Sequence, residues 1–206
     1  MPNTLFVHAS PHGEQALGYR LAQKILAYEK LLHPTKNLIK RDLVTTPLAS
    51  LTSHYATALV STELGDTVDA ALTESEHLII ELDQSDHLLI AIPMHNFSVP
   101  AALKLWIDHV VRINRTFVAS AEGKVGLLQD RPTTILLSSG GILLGDKPQP
   151  DFVTPYLRLI LNTIGIYDIR FVYLQGLAFG DAAINQAWQQ AQAELMAFGL
   201  LTTEKQ

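Results

Sequence analysis

The chain has 206 residues, with 15 Lys or Arg, 20 Asp or Glu and no cysteine. At this length a chain buries roughly 70% of the surface its unfolded form exposes, so one self-supporting domain over residues 1–206 is expected without disulfides or structural metal. The missing cysteine excludes disulfide frameworks, thiolate zinc sites, iron–sulfur clusters and cysteine nucleophiles, and any redox chemistry must come from a bound cofactor. A net charge of −5, with basic residues scattered along the chain, argues against nucleic-acid binding.

Leu5 to Val7 opens a series of short apolar runs alternating with segments of helical period. Met1-Pro2-Asn3-Thr4 leads into that run without a basic or apolar leader, so a cytoplasmic location is expected. Glu14 to Lys30 places Leu17, Leu21, Ile25 and Tyr28 on one helical face, and Asn37 to Leu43 is a weaker strand. Thr45 to Thr73 reads as loop plus helix. Leu88 to Met94 is an unbroken apolar run of the kind a fully buried strand shows, and Leu88 to Ile92, the longest such run, is far too short to span a bilayer.

Pro100 suits the first turn of a helix, and Leu103, Trp106, Ile107, Val110 and Val111 continue it. Thr133 to Leu137 is a strand, Tyr156 to Ile164 a helix, and Ile169 to Leu174 a last strand. Asp181 after Gly180 is the expected N-cap of a final helix through Ile184, Trp188, Ala191 and Leu195. Five strands with intervening helices predict an α/β, flavodoxin-like, doubly wound parallel sheet with helices on both faces, whose ligand crevice lies at the carboxyl ends of the strands.

Three loops leave those ends. Ser10-Pro11-His12-Gly13-Glu14-Gln15-Ala16-Leu17-Gly18 enters the first helix, where amides and dipole favour an anion. It matches neither GxGxxG nor GxxxxGK[ST], which argues against a Rossmann NAD site and ATP hydrolysis and leaves a monophosphate or an ordinary capped turn. In Pro93-Met94-His95-Asn96-Phe97-Ser98-Val99-Pro100, the prolines stiffen the loop, while Met94 and Phe97 either face a planar ligand or extend the core. Ser138-Ser139-Gly140-Gly141 offers glycines that permit positive φ and close backbone approach, or simply a turn. The eight histidines show no metal-ligand spacing and no GxSxG elbow is present, so neither a metal site nor a serine hydrolase is expected.

Pro93-Met94-His95-Asn96-Phe97, then Trp106-Ile107-Asp108-His109-Val110-Val111-Arg112 and Thr116-Phe117, resemble the FMN-dependent NADH:quinone oxidoreductases, also called azoreductases. Ser10-Pro11 with Gly13-Glu14, Ser138-Ser139-Gly140-Gly141, Thr154-Pro155-Tyr156-Leu157, Ile164-Gly165-Ile166 and Phe171 to Gly180 are similar in order and spacing, so the likeness covers nearly the whole chain. It implies a homodimer with non-covalent FMN, reduced by NADH or NADPH, that passes two electrons to a quinone or azo compound by a ping-pong mechanism.

The phosphate positions would fall on Ser10, Ala16, Leu17 and Gly18, and the ring positions on Met94, His95, Asn96 and Phe97 and on Ser138, Ser139, Gly140 and Gly141. No side chain need be catalytic; His95 is the candidate for proton donation, with a pocket-shaping role preferred. Asp108-His109 reads as helix packing or a dimer surface, and Arg112 and Arg115 either attract a nicotinamide phosphate or are solvated helix arginines. Two departures stand out. Ala16-Leu17-Gly18 replaces a frequent Ser-x-Ser, so weakened FMN binding is expected, and Ala119 stands where a tyrosine is frequent. An electron carrier and a non-catalytic member of the family are the alternatives; nucleic-acid and membrane partners are not expected.

Overall fold

Alternation within the strands decides the architecture. In strand β1 (Asn3–His8), Leu5 and Val7 face one side and Phe6 the other; in β3 (His87–Pro93), Leu88, Ile90 and Ile92 face one side and Leu89 and Ala91 the other. Both faces must therefore be covered, as in a parallel sheet packed between helices. The computed structural model describes residues 3–60 and 70–202. Its main sheet adds β2 (Asn37–Asp42), β6 (Thr133–Ser138) and β7 (Ile169–Leu174), all parallel, in the order β2-β1-β3-β6-β7. This is the flavodoxin-like doubly wound arrangement, and the order reverses between β1 and β3.

One face is covered by α1 (Leu17–Leu32) and α6 (Asp181–Ala197), which bury Leu21, Ile25, Ala191 and Leu195 against Phe6, Leu89, Leu136 and Val172. The opposite face carries α3 (Thr73–Asp83), α4 (Ala101–Val110) and α5 (Val153–Thr163), with Ile79, Leu82, Leu103, Trp106 and Leu157 in its core. Helix α2 (Ser53–Val60) falls within the stretch read as loop plus helix, of which residues 61–69 lie outside the described residues. Helix α3 was not expected; its buried Ser75, Leu78, Ile79 and Leu82 form too narrow a stripe to stand out.

Three expected boundaries move. The segment Glu14 to Lys30 is not one helix: a 3₁₀ turn at Gly13–Gln15 ends at Ala16, whose extended φ −62°, ψ 135° separates it from α1. Asp181 is the first residue of α6, and the N-cap is Gly180 at φ 90°, which asks for glycine. Pro100 is itself the N-cap of α4 rather than a first-turn residue.

An antiparallel hairpin, β4 (Phe117–Ser120) with β5 (Gly123–Gly126), lies outside the main sheet. It seats against the α5–β7 turn by backbone: a Cβ on Gly126 would come within 2.1 Å of the Gly165 nitrogen, and Leu128 N–H donates to Ile164 O at 3.0 Å.

Candidate functional site

A cavity of about 390 Å³ opens where the strand order reverses, at the carboxyl ends of β1, β3 and β6, the position the fold class favours for ligands. Ser10, Ala16, Leu17, Gly18, Met94, His95, Ser138, Ser139 and Gly140 line it, together with His12, Gln15, Tyr19, Ala91, Ile92, Pro93 and Leu177. Asn96 borders a neighbouring apolar cavity of about 820 Å³ that shares His95. Phe97 and Gly141 are not on the wall of either.

The wall at α1 is a set of unused donors. Ala16 is the N-cap and brings no side-chain oxygen, so among the described residues nothing accepts from the amides of Leu17, Gly18 and Tyr19. Every α-helix leaves such amides at its start, and together with the helix dipole they attract an anion. Gly18 also lets the helix start sit low on the sheet, since a Cβ there would lie 3.3 Å from Ser138 Oγ and 3.7 Å from Ala91 Cβ.

Ser10 is buried, and its Oγ accepts from His12 N–H at 3.3 Å, which leaves the hydroxyl proton for a ligand. Behind it, Ser10 N–H donates to His8 Nδ1 at 3.3 Å, and His8 Nε2 faces Asp42 at 3.4 Å. Burial lowers the His8 pKa despite the raising influence of Asp42, so the ring is neutral at pH 7 and its Nδ1 is free to accept. Among the described residues, no Lys or Arg lines this cavity.

The other end of the cavity is a slot between two loops. His95 and Ser98 exchange backbone hydrogen bonds, both at 2.9 Å, across a two-residue turn in which Asn96 (φ 49°) and Phe97 (φ 66°) are left-handed, as in a type I′ hairpin. A non-glycine pair in this region costs energy; Asn tolerates it and Phe does not favour it, so the strain marks the turn as held for a purpose. The turn leaves the amides of Asn96 and Phe97 without acceptors among the described residues.

On the facing loop, the carbonyls of Ser139, Gly140 and Gly141 accept from Leu177, Ala178 and Gly176, while the amides of Gly140 and Gly141 have no acceptor among the described residues. Neither glycine has positive φ, contrary to what the paired glycines suggested. A Cβ at Gly141 would instead meet Gln149 Oε1 at 2.2 Å, so that glycine makes room for a side chain eight residues further on. Gln149 was not foreseen; with no periodicity around it, only its partners reveal it.

Other candidates fall elsewhere. Arg112 is buried and pairs with Glu76 and Ser75, and the partly exposed Arg115 pairs with Glu76 and Asp83, so neither is a free surface cation or lines the cavity. His109 is buried, with Nε2 2.9 Å from Ala49 O, and Asp108 pairs with Lys104. His95 is exposed at the junction of the two cavities.

The arrangement fits a ligand with an anionic end and a flat, polar-edged end. Unsatisfied helix-start amides and a free hydroxyl suit a phosphate, and the thioether of Met94 with the unpaired amide of Gly140 on the wall, and those of Asn96, Phe97 and Gly141 in the loops beside it, suits a ring rich in acceptors. Fold and cavity together define a doubly wound protein of the nucleotide- or flavin-holding kind. The chain belongs to the family of FMN-dependent NADH:quinone oxidoreductases, within the larger family described as having a flavodoxin-like fold, whose model matches residues 2–198.

It is 51% identical over 197 residues to FMN-dependent NADH:quinone oxidoreductase 4 of Pseudomonas fluorescens, covering 95% of this chain and 94% of that one. It is also 51% identical to FMN-dependent NADH:quinone oxidoreductase 5 of Burkholderia lata, covering 96% and 97%. An FMN-dependent NADH-azoreductase from Bacillus anthracis, solved in complex with FMN, superposes with a TM-score of 0.80 at 22% identity, covering 96% of this chain and 99% of that one. At that identity the likeness concerns the fold.

Proposed function

We propose that this protein is an FMN-dependent NADH:quinone oxidoreductase that also accepts aromatic azo compounds. The observation that carries this reading is the row of acceptor-less amides at Leu17, Gly18 and Tyr19 beside Ser10, facing the slot between Met94 and Ser139 in one cavity. A phosphate at one end and a tricyclic ring at the other match that donor set, and the names of the 51% identical relatives supply the activity.

When bound, FMN supplies the redox chemistry, taking a hydride from a reduced nicotinamide and delivering two electrons to the acceptor in a separate encounter. The chain's own residues do the rest. The first turn of α1 and Ser10 hold the phosphate by hydrogen bonds alone, since among the described residues no Lys or Arg is on that wall. Met94 lies against the ring through dispersion. The amides of Asn96, Phe97, Gly140 and Gly141 are the donors available where ring atoms gain negative charge, and fixed amides of this kind stabilise such charge without reorganising. No side chain acts as a nucleophile, and His95 shapes the passage between the two cavities.

The homodimer belongs to this reading as well. The cavity of about 820 Å³ beside the site is walled by Val99, Phe152, Pro155, Tyr156 and Leu159, and Phe97, Phe152 and Leu159 are exposed around it. A second copy would cover this apolar surface and close the acceptor's side of the pocket. Light scattering in solution should give twice the chain mass. No helix among the described residues is long and apolar enough to cross a membrane, and we place the enzyme in the cytoplasm.

The central test is a titration of the purified protein with FMN, followed by NADH oxidation with and without a quinone. Saturable flavin binding and NADH consumption that depends on the quinone are expected. A protein that binds no flavin refutes the reading, and one that binds it but turns over no acceptor is an electron carrier instead. Ser10→Ala should weaken FMN retention about tenfold, the scale of a lost hydrogen bond to a charged group.

A further inference from the structure

The connection between β6 and α5, residues 139–152, is fastened to both ring-side loops. Gln149 N–H donates to Ile142 O at 2.8 Å, and Phe152 N–H donates to Phe97 O at 3.2 Å. Gln175 Oε1 accepts from the amides of Leu143 and Leu144 at 2.7 and 2.8 Å. The side chain of Gln149 is not itself on the wall of either cavity, but it reaches a residue of each ring-side wall. Its Nε2 donates to Ser139 Oγ at 2.8 Å and lies 3.3 Å from Met94 Sδ, so one carboxamide ties the wall that follows β6 to the wall that follows β3. The space it occupies exists because residue 141 has no side chain. A carboxamide with a partly buried position, a hydroxyl and a thioether of the cavity wall as partners, and a glycine cleared for it is a fitted brace on that wall rather than a free surface side chain.

We propose that Gln149 is a positioning residue for the flavin ring: its carboxamide sets the spacing and orientation of Met94 and Ser139, the two side chains that bound the ring slot. The proposal rests on the flavoprotein reading above. Without the clamp, Ser139 Oγ rotates freely and the Met94 thioether loses its donor, so the ring is held in a wider range of orientations. The amides at α1 are untouched, so the phosphate end stays in place. The effect therefore appears in ring-sensitive observables as well as in affinity.

The test uses the full chain with FMN and two variants. Gln149→Leu keeps the bulk and removes both hydrogen bonds. Gly141→Ala keeps Gln149 but places a Cβ 2.2 Å from its Oε1, which expels the flexible carboxamide while the backbone remains in a φ region open to alanine. Both variants should weaken FMN binding, measured by quenching of flavin fluorescence, about three- to tenfold, the scale of one or two neutral hydrogen bonds. Both should also shift the visible absorption band and the midpoint potential of the bound flavin in the same direction, with the melting temperature of the FMN-free protein lowered by no more than the few degrees that one or two neutral hydrogen bonds carry. In a Ser139→Ala background, the further effect of Gln149→Leu should fall below half of its value in the wild type.

A wild type that binds FMN, with both variants matching it in affinity, spectrum and potential, overturns the proposal and leaves the flavoprotein reading standing. So does a lowered melting temperature with an unshifted spectrum, which would make Gln149 merely structural. A wild type that binds no FMN overturns both.

Discussion

Replacing Ala16 with serine tests the anion site at its weakest point. Ala16 already has the extended φ −62°, ψ 135° of an N-cap, and no side chain caps α1. A serine Oγ there accepts from the amide of Gly18 or Tyr19, the pairing N-cap residues make, which is worth about 1 kcal/mol of stability. In a domain of this size that raises the melting temperature of the FMN-free protein by about 2–4 °C. The hydroxyl proton remains for the phosphate, and a hydrogen bond to a charged group contributes about 1.5–3 kcal/mol, less the share lost from the amide that Oγ now occupies. The expected outcome of Ala16→Ser is FMN binding about tenfold tighter, read by fluorescence quenching. Riboflavin, which has the ring and lacks the phosphate, should bind the variant and the wild type alike. An unchanged FMN affinity beside a raised melting temperature, or an equal gain for riboflavin, would show that the phosphate does not sit on the α1 amides.

Two further outcomes concern stability away from the cavity. Burial pushes the Glu29 carboxyl up, but the hydrogen bond from His87 Nδ1 and the His87 charge, with Thr4 and Lys36, outweigh it and hold the pKa at about 2. Because this value lies below that of the unfolded chain, the associated stability is present above about pH 4.5 and is lost as the pH falls towards 2. Glu29→Gln should therefore remove about 3 kcal/mol at pH 7 and flatten the acid limb of the unfolding curve between pH 4.5 and 2, measured by urea melts. Glu76→Ala leaves the buried Arg112 guanidinium with only Ser75 Oγ at 3.0 Å and strips one partner from Arg115. Loss of one side of a buried pair costs about 3–5 kcal/mol, so melting should drop by on the order of 10 °C. FMN affinity below that temperature should stay the same, because no residue of the cluster lines the cavity.

Composition and period were enough for the main sheet and for its covering helices other than α3, because alternation in Leu5-Phe6-Val7 and an unbroken Leu88 to Ile92 are local consequences of burial on both faces. The loops around the cavity were legible for a related reason: a doubly wound sheet opens its crevice at strand ends, and Ser10 and Met94 to Phe97 follow strands while Ser138 to Gly141 starts on the last residue of β6. What escaped was set by partners distant in sequence. The paired glycines suggested positive φ, yet Gly141 is small because Gln149 lies against it. Arg112 and Arg115 look like any exposed helix arginines until α3 brings Glu76 beside them. The break at Ala16 is invisible to a helical reading that starts at Glu14, because the apolar stripe begins only at Leu17, although the break leaves the amides of Leu17, Gly18 and Tyr19 without acceptors among the described residues.

The sequence by itself thus determined the five strands of the main sheet, the location of the crevice and, through family likeness, the cofactor, since each is written in patterns a few residues long, while α3 and the β4–β5 hairpin were not legible in it. Only the tertiary structure decided which donors are left unpaired and which side chains tie one loop to another. A hydrogen bond between residues 55 positions apart, such as that from Gln149 to Met94, exists only once the sheet has brought their strand ends together.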